Sequence, residues 1–394
     1  MSKIAVLAFS GGLDTSYCAK FYSQEEGYQI HSVLINTGGF SASELKEIEA
    51  KAHALGVAKH VCIDITQNYY KKCIRYMIFG NILKNGTYPL SVSSERVFQA
   101  MALAKYADDV RADAIIHGST GAGNDQVRFD LAFNVICPDI EIITPVRDKK
   151  LTREFEINYL KEHGITFDFT KAEYSINQGL WGTSIGGKET LVSKNTIPES
   201  AYPSQLTEET PRTITIDFDK GELIGLNDTL YQNPVDIIVE LEKIASAYAI
   251  GRGMHVGDTI IGIKGRVAFE AAAAIVIIKA HYQLEKHTLT KWQLYWKEQL
   301  ANWYGMLLHE AQYQEPVMRN IEKFFEDTQQ HVSGKVFVQL KPYSFEVTGI
   351  DSKYDLMQNG FAQYGEMNTA FSGEDVKGFT KILSNQIKLY NSVD

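Results

Sequence analysis

The chain is poor in cysteine. It has four in 394 residues, Cys18, Cys62, Cys73 and Cys137, and no two form a Cys-x-x-Cys pair. That excludes a disulfide scaffold or a zinc ribbon, and points to buried free thiols in a reducing compartment. Long apolar runs are missing too. The longest, Ala271–Ile278, is far short of the ~20 residues that cross a bilayer, so no membrane span is expected. No secretory signal is expected ahead of Ile4, which places the protein in the cytoplasm. Positive charge is scarce: 39 Lys and Arg against 48 Asp and Glu leave a net charge of −9. That argues against a non-specific nucleic-acid binder but allows a local basic pocket. There is no internal repeat and no low-complexity tract.

What is present begins at residue 4. Ile4 to Phe9 is an apolar run that reads as a buried strand, and it stops at Ser10-Gly11-Gly12. Beyond Leu13, Asp14, Thr15 and Ser16 the pattern is helical. A strand that runs through a glycine turn into a helix makes an anion site. The glycines allow close approach, and the first helical N–H groups have no internal partners. Ser10, Thr15 and Ser16 add hydroxyl donors. The guest this predicts is a phosphate or pyrophosphate. No Gly-Lys-Ser/Thr follows, so this is not a Walker A loop. The plain alternative is a glycine turn with no ligand.

At 394 residues, two or three domains are expected. Strands are expected at Gln29–Asn36, Lys59–Ile65, Asp113–His117 and Ile140–Ile143. Helices are expected at Ser41–Leu55, with Ser41 and Glu44 as a capping box and Gly56 behind it, at Asn68–Leu83, and from a Ser93 cap onward. This alternation means a doubly wound parallel sheet, whose ligands bind beyond the carboxyl ends of its strands.

Two further clusters fall at such ends. His117 to Phe129 carries Gly118, Gly121 and Gly123, then Asn124, Asp125 and Arg128. Asp125 suits an ammonium; Thr120, Asn124 and Arg128 suit carboxylates. The alternative is a local Asp125–Arg128 salt bridge. The other cluster runs from Tyr88 to Arg96. Arg96 in the first turn of its helix opposes the macrodipole, which an anionic ligand would explain. The plainer reading is a solvated Arg96 whose charge Glu95 offsets.

Ser10–Ser16 resembles the loop of the ATP pyrophosphatase superfamily. Together with His117–Phe129 it resembles the argininosuccinate synthase family, along nearly the whole chain and most strongly from residue 3 to about 146. The resemblance implies an adenine nucleotide α-hydrolase-like α/β domain over residues 1–167. An α+β synthetase domain over 168–366 and a helical oligomerisation tail over 367–394 would follow. It implies that ATP adenylates the ureido oxygen of citrulline, pyrophosphate leaves, and the aspartate amine displaces AMP in arginine biosynthesis. Ala8, Phe9, Ser10, Gly11, Gly12, Leu13, Asp14, Thr15, Ser16, Ile35 and Gly118 would hold ATP. Ser10, Asp14, Thr15, Ser16 and Arg96 would serve the chemistry. Thr120, Asn124 and Asp125 would hold aspartate. Tyr88, Ser93, Asn124, Arg128, Ser175 and Ser184 would hold citrulline. Mg2+ would ride on the ATP phosphates with no protein metal site, and the assembly would be a homotetramer.

The chain departs from that family at several places. Asn177 and Gly179 stand where an acidic residue and an asparagine are usual, and Val92 replaces a threonine. Gly257 and Phe269 replace a glutamate and a tyrosine that serve citrulline. Only Pro316 remains of an aromatic-rich turn. The lost glutamate admits a second reading, in which the substrate is an N-acylated, for example N-succinyl, citrulline and Gly257 leaves room for the acyl group. A tRNA sulfur transferase of the same superfamily is a third reading, and a non-catalytic nucleotide or amino-acid sensor a fourth. Later segments read as an irregular excursion over 188–212, one helical stretch His287–Ala311 with a tryptophan stripe, a helix Pro316–Gln330, a hairpin Lys335–Leu340 with Ser344–Gly349, and a closing amphipathic helix Val376–Tyr390.

Overall fold

The computed structural model describes residues 3–121, 123–168, 173–358, 360–362, 364–365 and 368–393. Its first sheet has five parallel strands: β1 (Ile4–Ala8), β2 (Gln29–Asn36), β3 (Lys59–Asp64), β4 (Ala114–Ile116) and β5 (Glu141–Ile143). Their order is β3-β2-β1-β4-β5. Alternate residues of β1 feed two separate cores. Val6 faces the core under the helix Ser91–Asp109, while Ala5 and Leu7 face the core under the helices Leu13–Gln24 and Ala42–Ala54. Burial on both faces is why β1 is apolar throughout rather than alternating. The strand order reverses between β1 and β4, so a crevice opens where the loops after those strands diverge.

The capping box at Ser41 and Glu44 is present, and Gly56 has φ +86°. The helix expected over 68–83 runs instead from Thr66 to Phe79 through a wide π turn at Tyr70–Ile74. It ends early because Gly80 and Asn81, at φ 50°, turn the chain toward the other half of the molecule. The expected Ser93 cap is corrected. The helix begins at Ser91 behind Leu90, which is left-handed at φ 59°. Ser93 therefore lies in the first turn and Arg96 in the second, where the macrodipole argument for Arg96 loses force.

The second half carries two antiparallel sheets. One joins β6 (Ser175–Gly179), β7 (Gly182–Gly186), β11 (Arg252–Asp258) and β12 (Lys264–Glu270) in the order β11-β12-β7-β6. The other joins β8 (Arg212–Asp219), β9 (Glu222–Leu226), β10 (Thr229–Leu230), β13 (Gly334–Lys341) and β14 (Ser344–Asp351) in the order β10-β9-β8-β13-β14. The last two strands are the expected hairpin. The stretch expected over 287–311 is the helix Lys291–His309, which begins four residues later than expected because the preceding helix, Ala272–Thr288, still covers residues 287 and 288. Thr290 with Gln293 forms a second capping box that the stripe concealed. Trp292, Trp296 and Trp303 are 62%, 58% and 60% exposed, so the stripe is a surface rather than a core. The closing helix is two, Gly373–Leu383 and Asn385–Asn391, with no buried residue and with Phe379, Ile382, Leu383 and Ile387 exposed.

A buried polar knot ties the halves together. Lys297 Nζ reaches Glu285 and the Phe79 carbonyl, each at 2.7 Å. His281 meets Asn81 at 2.7 Å and Gln329 at 2.9 Å. The apolar core around them runs without a break from Val6 and Val33 to Ile277 and Phe325.

Candidate active site

A cavity of about 620 Å³ opens at the carboxyl ends of β1, β2 and β4. Ala8, Phe9, Ser10, Gly12, Leu13, Asp14 and Thr15 form its floor. Val33, Ile35, Leu103 and Phe129 make an apolar wall able to hold a flat base. The helix after the loop starts at Leu13 behind Gly12, and no side chain caps it. Its first N–H groups are therefore left for an anion. Gly11 has φ +74°, a conformation that side-chain-bearing residues rarely adopt. Ser16 is buried behind the floor, and its hydroxyl has no partner among the described residues. An orphaned hydroxyl beside an uncapped helix start fits a phosphate-bearing guest. Gly118 presses on the same loop: a Cβ there would stand 2.9 Å from the Asp14 Cβ.

Beside this floor two guanidiniums share one carboxylate. Arg96 Nε donates to Asp125 Oδ2 at 3.2 Å, and Arg128 Nη1 donates to Oδ1 at 2.9 Å. Burial would raise the Asp125 pKa, but the two arginines override it and hold the group below the usual carboxylate range. The Asp125–Arg128 salt bridge is thus real, and it is half of a three-residue clamp. Arg96 also donates to Gln99 at 2.6 Å and to Asn177 at 3.0 Å, which draws β6 onto the helix Ser91–Asp109. Asn124 accepts the Ile260 N–H at 2.9 Å, leaving its amide donors for a ligand.

Of the remaining predicted residues, Ser93 reaches the clamp through His309, and none lines the cavity wall. Arg128 is buried, and its Nε and Nη2 donate to the His309 carbonyl at 3.3 and 3.1 Å. His309 Nδ1 lies 3.1 Å from Ser93 Oγ. Burial first, then Arg128, Lys84 and His255, push the His309 pKa down to about 3, so the ring is neutral. Tyr88 stacks on His255, with ring centroids 5.2 Å apart, and touches Phe269 at 5.5 Å. Phe269 pairs with Ser184 across β12 and β7. Ser175 is exposed near the start of β6 and Thr120 is exposed in its loop; neither lines the cavity.

Gly257 stands against a histidine ring. A Cβ there would stand 2.7 Å from His255 Nε2. The imidazole of a residue two places earlier on β11 occupies that place. Burial, then Lys84, lower its pKa, so it too is neutral.

Sequence reasoning passed over His255, His309 and Gln99, and used Glu95 only to offset Arg96. The signal that could have found Glu95 was the double departure at 177 and 179. Its carboxylate lies where a Cβ on residue 179 would fall, and one oxygen accepts from the Thr37 hydroxyl.

A doubly wound sheet with a glycine–hydroxyl floor and a carboxylate clamp beside it defines a nucleotide-binding α/β enzyme. The family models that match are the arginosuccinate synthase N-terminal HUP domain over residues 4–166 and the arginosuccinate synthase C-terminal domain over residues 174–390. Among curated proteins, the argininosuccinate synthase of Dictyoglomus thermophilum is 38% identical over 98% of this chain and 96% of its own. That of Methanocaldococcus jannaschii is 35% identical, covering 99% and 98%, and that of Xanthomonas campestris pv. campestris 34%, covering 100% and 99%. The chain belongs to the argininosuccinate synthase family. Among the described residues no helix is long and apolar enough to cross a membrane.

Proposed function

We propose that the chain joins citrulline to aspartate at the expense of ATP, giving argininosuccinate, AMP and pyrophosphate. The observation that carries this is the uncapped helix start and orphaned Ser16 hydroxyl lying beside the Arg96–Asp125–Arg128 clamp. A phosphate floor and an amino-acid grip within one crevice suit a reaction that adenylates one substrate and couples it to another.

In this reading Ser10, Thr15 and the first helical N–H groups hold the β and γ phosphates, with the Ser16 hydroxyl buried behind them and reached only if the loop shifts on binding. Ile35 and Phe129 bracket the adenine. Arg128 and Ser93 take the citrulline carboxylate end; Asn124, Asp125 and Thr120 take aspartate. The ureido oxygen attacks the α phosphorus and the bond to the bridging oxygen breaks, releasing pyrophosphate. The aspartate nitrogen then attacks the ureido carbon, the carbon–oxygen bond to AMP breaks, and two protons are lost. The residues contribute alignment and charge stabilisation. Mg2+ would arrive on the phosphates, and its hard oxygen preference suits them. The tail over 367–394, with its exposed apolar face, would join the exposed tryptophans in building a homotetramer in the cytoplasm.

The test is aspartate-dependent pyrophosphate release from Mg-ATP, with citrulline and with N-succinylcitrulline in parallel. Release with citrulline is expected. Release with the succinylated compound alone would reassign the substrate, and release with neither would overturn the ligase reading.

A further inference from the structure

The aspartate amine enters this reaction as an ammonium with no lone pair. It carries three hydrogens and the product nitrogen carries one. The first proton must therefore leave before the carbon–nitrogen bond forms, and some group must take it.

Glu95 stands where such a group is needed. It is 4% exposed, yet it forms part of the cavity wall between the end of β2 and the end of β6. One oxygen accepts from the Thr37 hydroxyl, and the other occupies the space that Gly179 leaves vacant. Its neighbour Arg96 directs its donors away, to Asp125, Gln99 and Asn177. The carboxylate is thus buried beside a cation that bonds elsewhere. Burial raises its pKa to about 7; Arg96 opposes the shift and Asp125 adds to it. A carboxyl group at that value exchanges its proton at neutral pH, the condition an efficient general base meets. Arg96, the residue next to Glu95, donates to Asp125 at 3.2 Å, so the clamp assigned to aspartate adjoins it.

We infer that Glu95 is the general base that takes the first proton from the aspartate α-ammonium. The inference rests on the ligase reading above. The proton passes from nitrogen to a Glu95 oxygen and the freed lone pair attacks the ureido carbon. As AMP departs, the nitrogen loses its second proton to the AMP phosphate or to solvent. The hairpin lacks the acidic residue usual at 177, and Glu95 brings a carboxylate to that side of the crevice from the facing helix instead.

The test separates the two half-reactions in the full-length protein. Citrulline-dependent pyrophosphate formation without aspartate is measured as a burst. AMP formation after aspartate is added is followed in single turnovers from pH 5.5 to 9. The wild-type second step is expected to rise with pH and level off above about 7. Glu95→Gln keeps the shape and the acceptor for Thr37. It is expected to leave the burst intact, slow the second step by about 10²-fold, and abolish the acid limb. Glu95→Asp is expected to restore the limb with a reduced rate. An unchanged limb in Glu95→Gln, an equal loss of both steps, or a rise only in the KM for ATP would each overturn the inference. A wild-type protein with no citrulline-dependent burst would overturn the ligase reading itself.

Discussion

Arg128 and Asp125, one helical turn apart, are joined at 2.9 Å, and that bond fixes the first turn of the helix that follows the loop after β4. The arginine is buried and tied to the His309 carbonyl from the far half of the chain. Asp125 is held in place by it and by Arg96. Asp125→Asn removes the charge between two guanidiniums and keeps the shape. Charge-assisted bonds contribute about 1.5–3 kcal/mol each, so kcat/KM for aspartate should fall by roughly 10- to 100-fold. Steady-state kinetics at varied aspartate checks this; an unchanged value would remove Asp125 from the aspartate site.

Gly118 and Asp14 mark the contact between the two loops of the crevice. Gly118→Ala would place a Cβ 2.9 Å from the Asp14 Cβ and 3.3 Å from its backbone carbon. Backbone cannot swing aside as a flexible side chain does, so the loops must part. ATP binding measured by calorimetry should weaken by about tenfold or more, the effect of displacing positioning groups by a fraction of an ångström. Retention of wild-type affinity would mean the loops are free to separate.

Glu156, on the helix Arg153–Glu162, is 1% exposed and lies behind the same loop. Burial first, then the Asp14 charge, raise its pKa to about 8. A carboxyl group whose pKa is higher folded than unfolded binds more protons in the folded state between those two values. Its contribution to stability is complete below the unfolded value, near 4.3, and is lost as pH rises through about 8. Denaturant titrations of wild type should therefore show stability falling over this window, and Glu156→Gln should flatten the fall. Parallel curves would show that the carboxyl group is not protonated in the folded state.

Lys297 offers a test of how the halves are held together. Its ammonium is buried against Glu285 and the Phe79 carbonyl. Lys297→Met leaves Glu285 as an uncompensated buried charge and should cost about 3–5 kcal/mol in chemical unfolding. Adding Glu285→Gln should recover part of that loss. A single-mutant cost under about 1 kcal/mol would mean that water reaches the pair.

Local signals carried much of the first domain. The run Ile4–Phe9, the Ser41–Glu44 capping box and the glycine loops after β1 and β4 are short-range patterns, so the parallel sheet and its ligand-binding edge were legible. Helix boundaries set by tertiary contacts were not. The early stop at Phe79 follows from Asn81 turning toward His281 and Glu285, and the start at Ser91 from the left-handed Leu90.

What the sequence by itself determined is the crevice: period, glycine spacing and hydroxyl density are properties of neighbouring residues. Only the tertiary structure decided what stands across it. Glu95 seated against Gly179, His255 filling the place beside Gly257, and Arg128 tied to His309 each join residues whose meeting no local pattern encodes. The space one side chain leaves and another fills exists only once the sheets have packed.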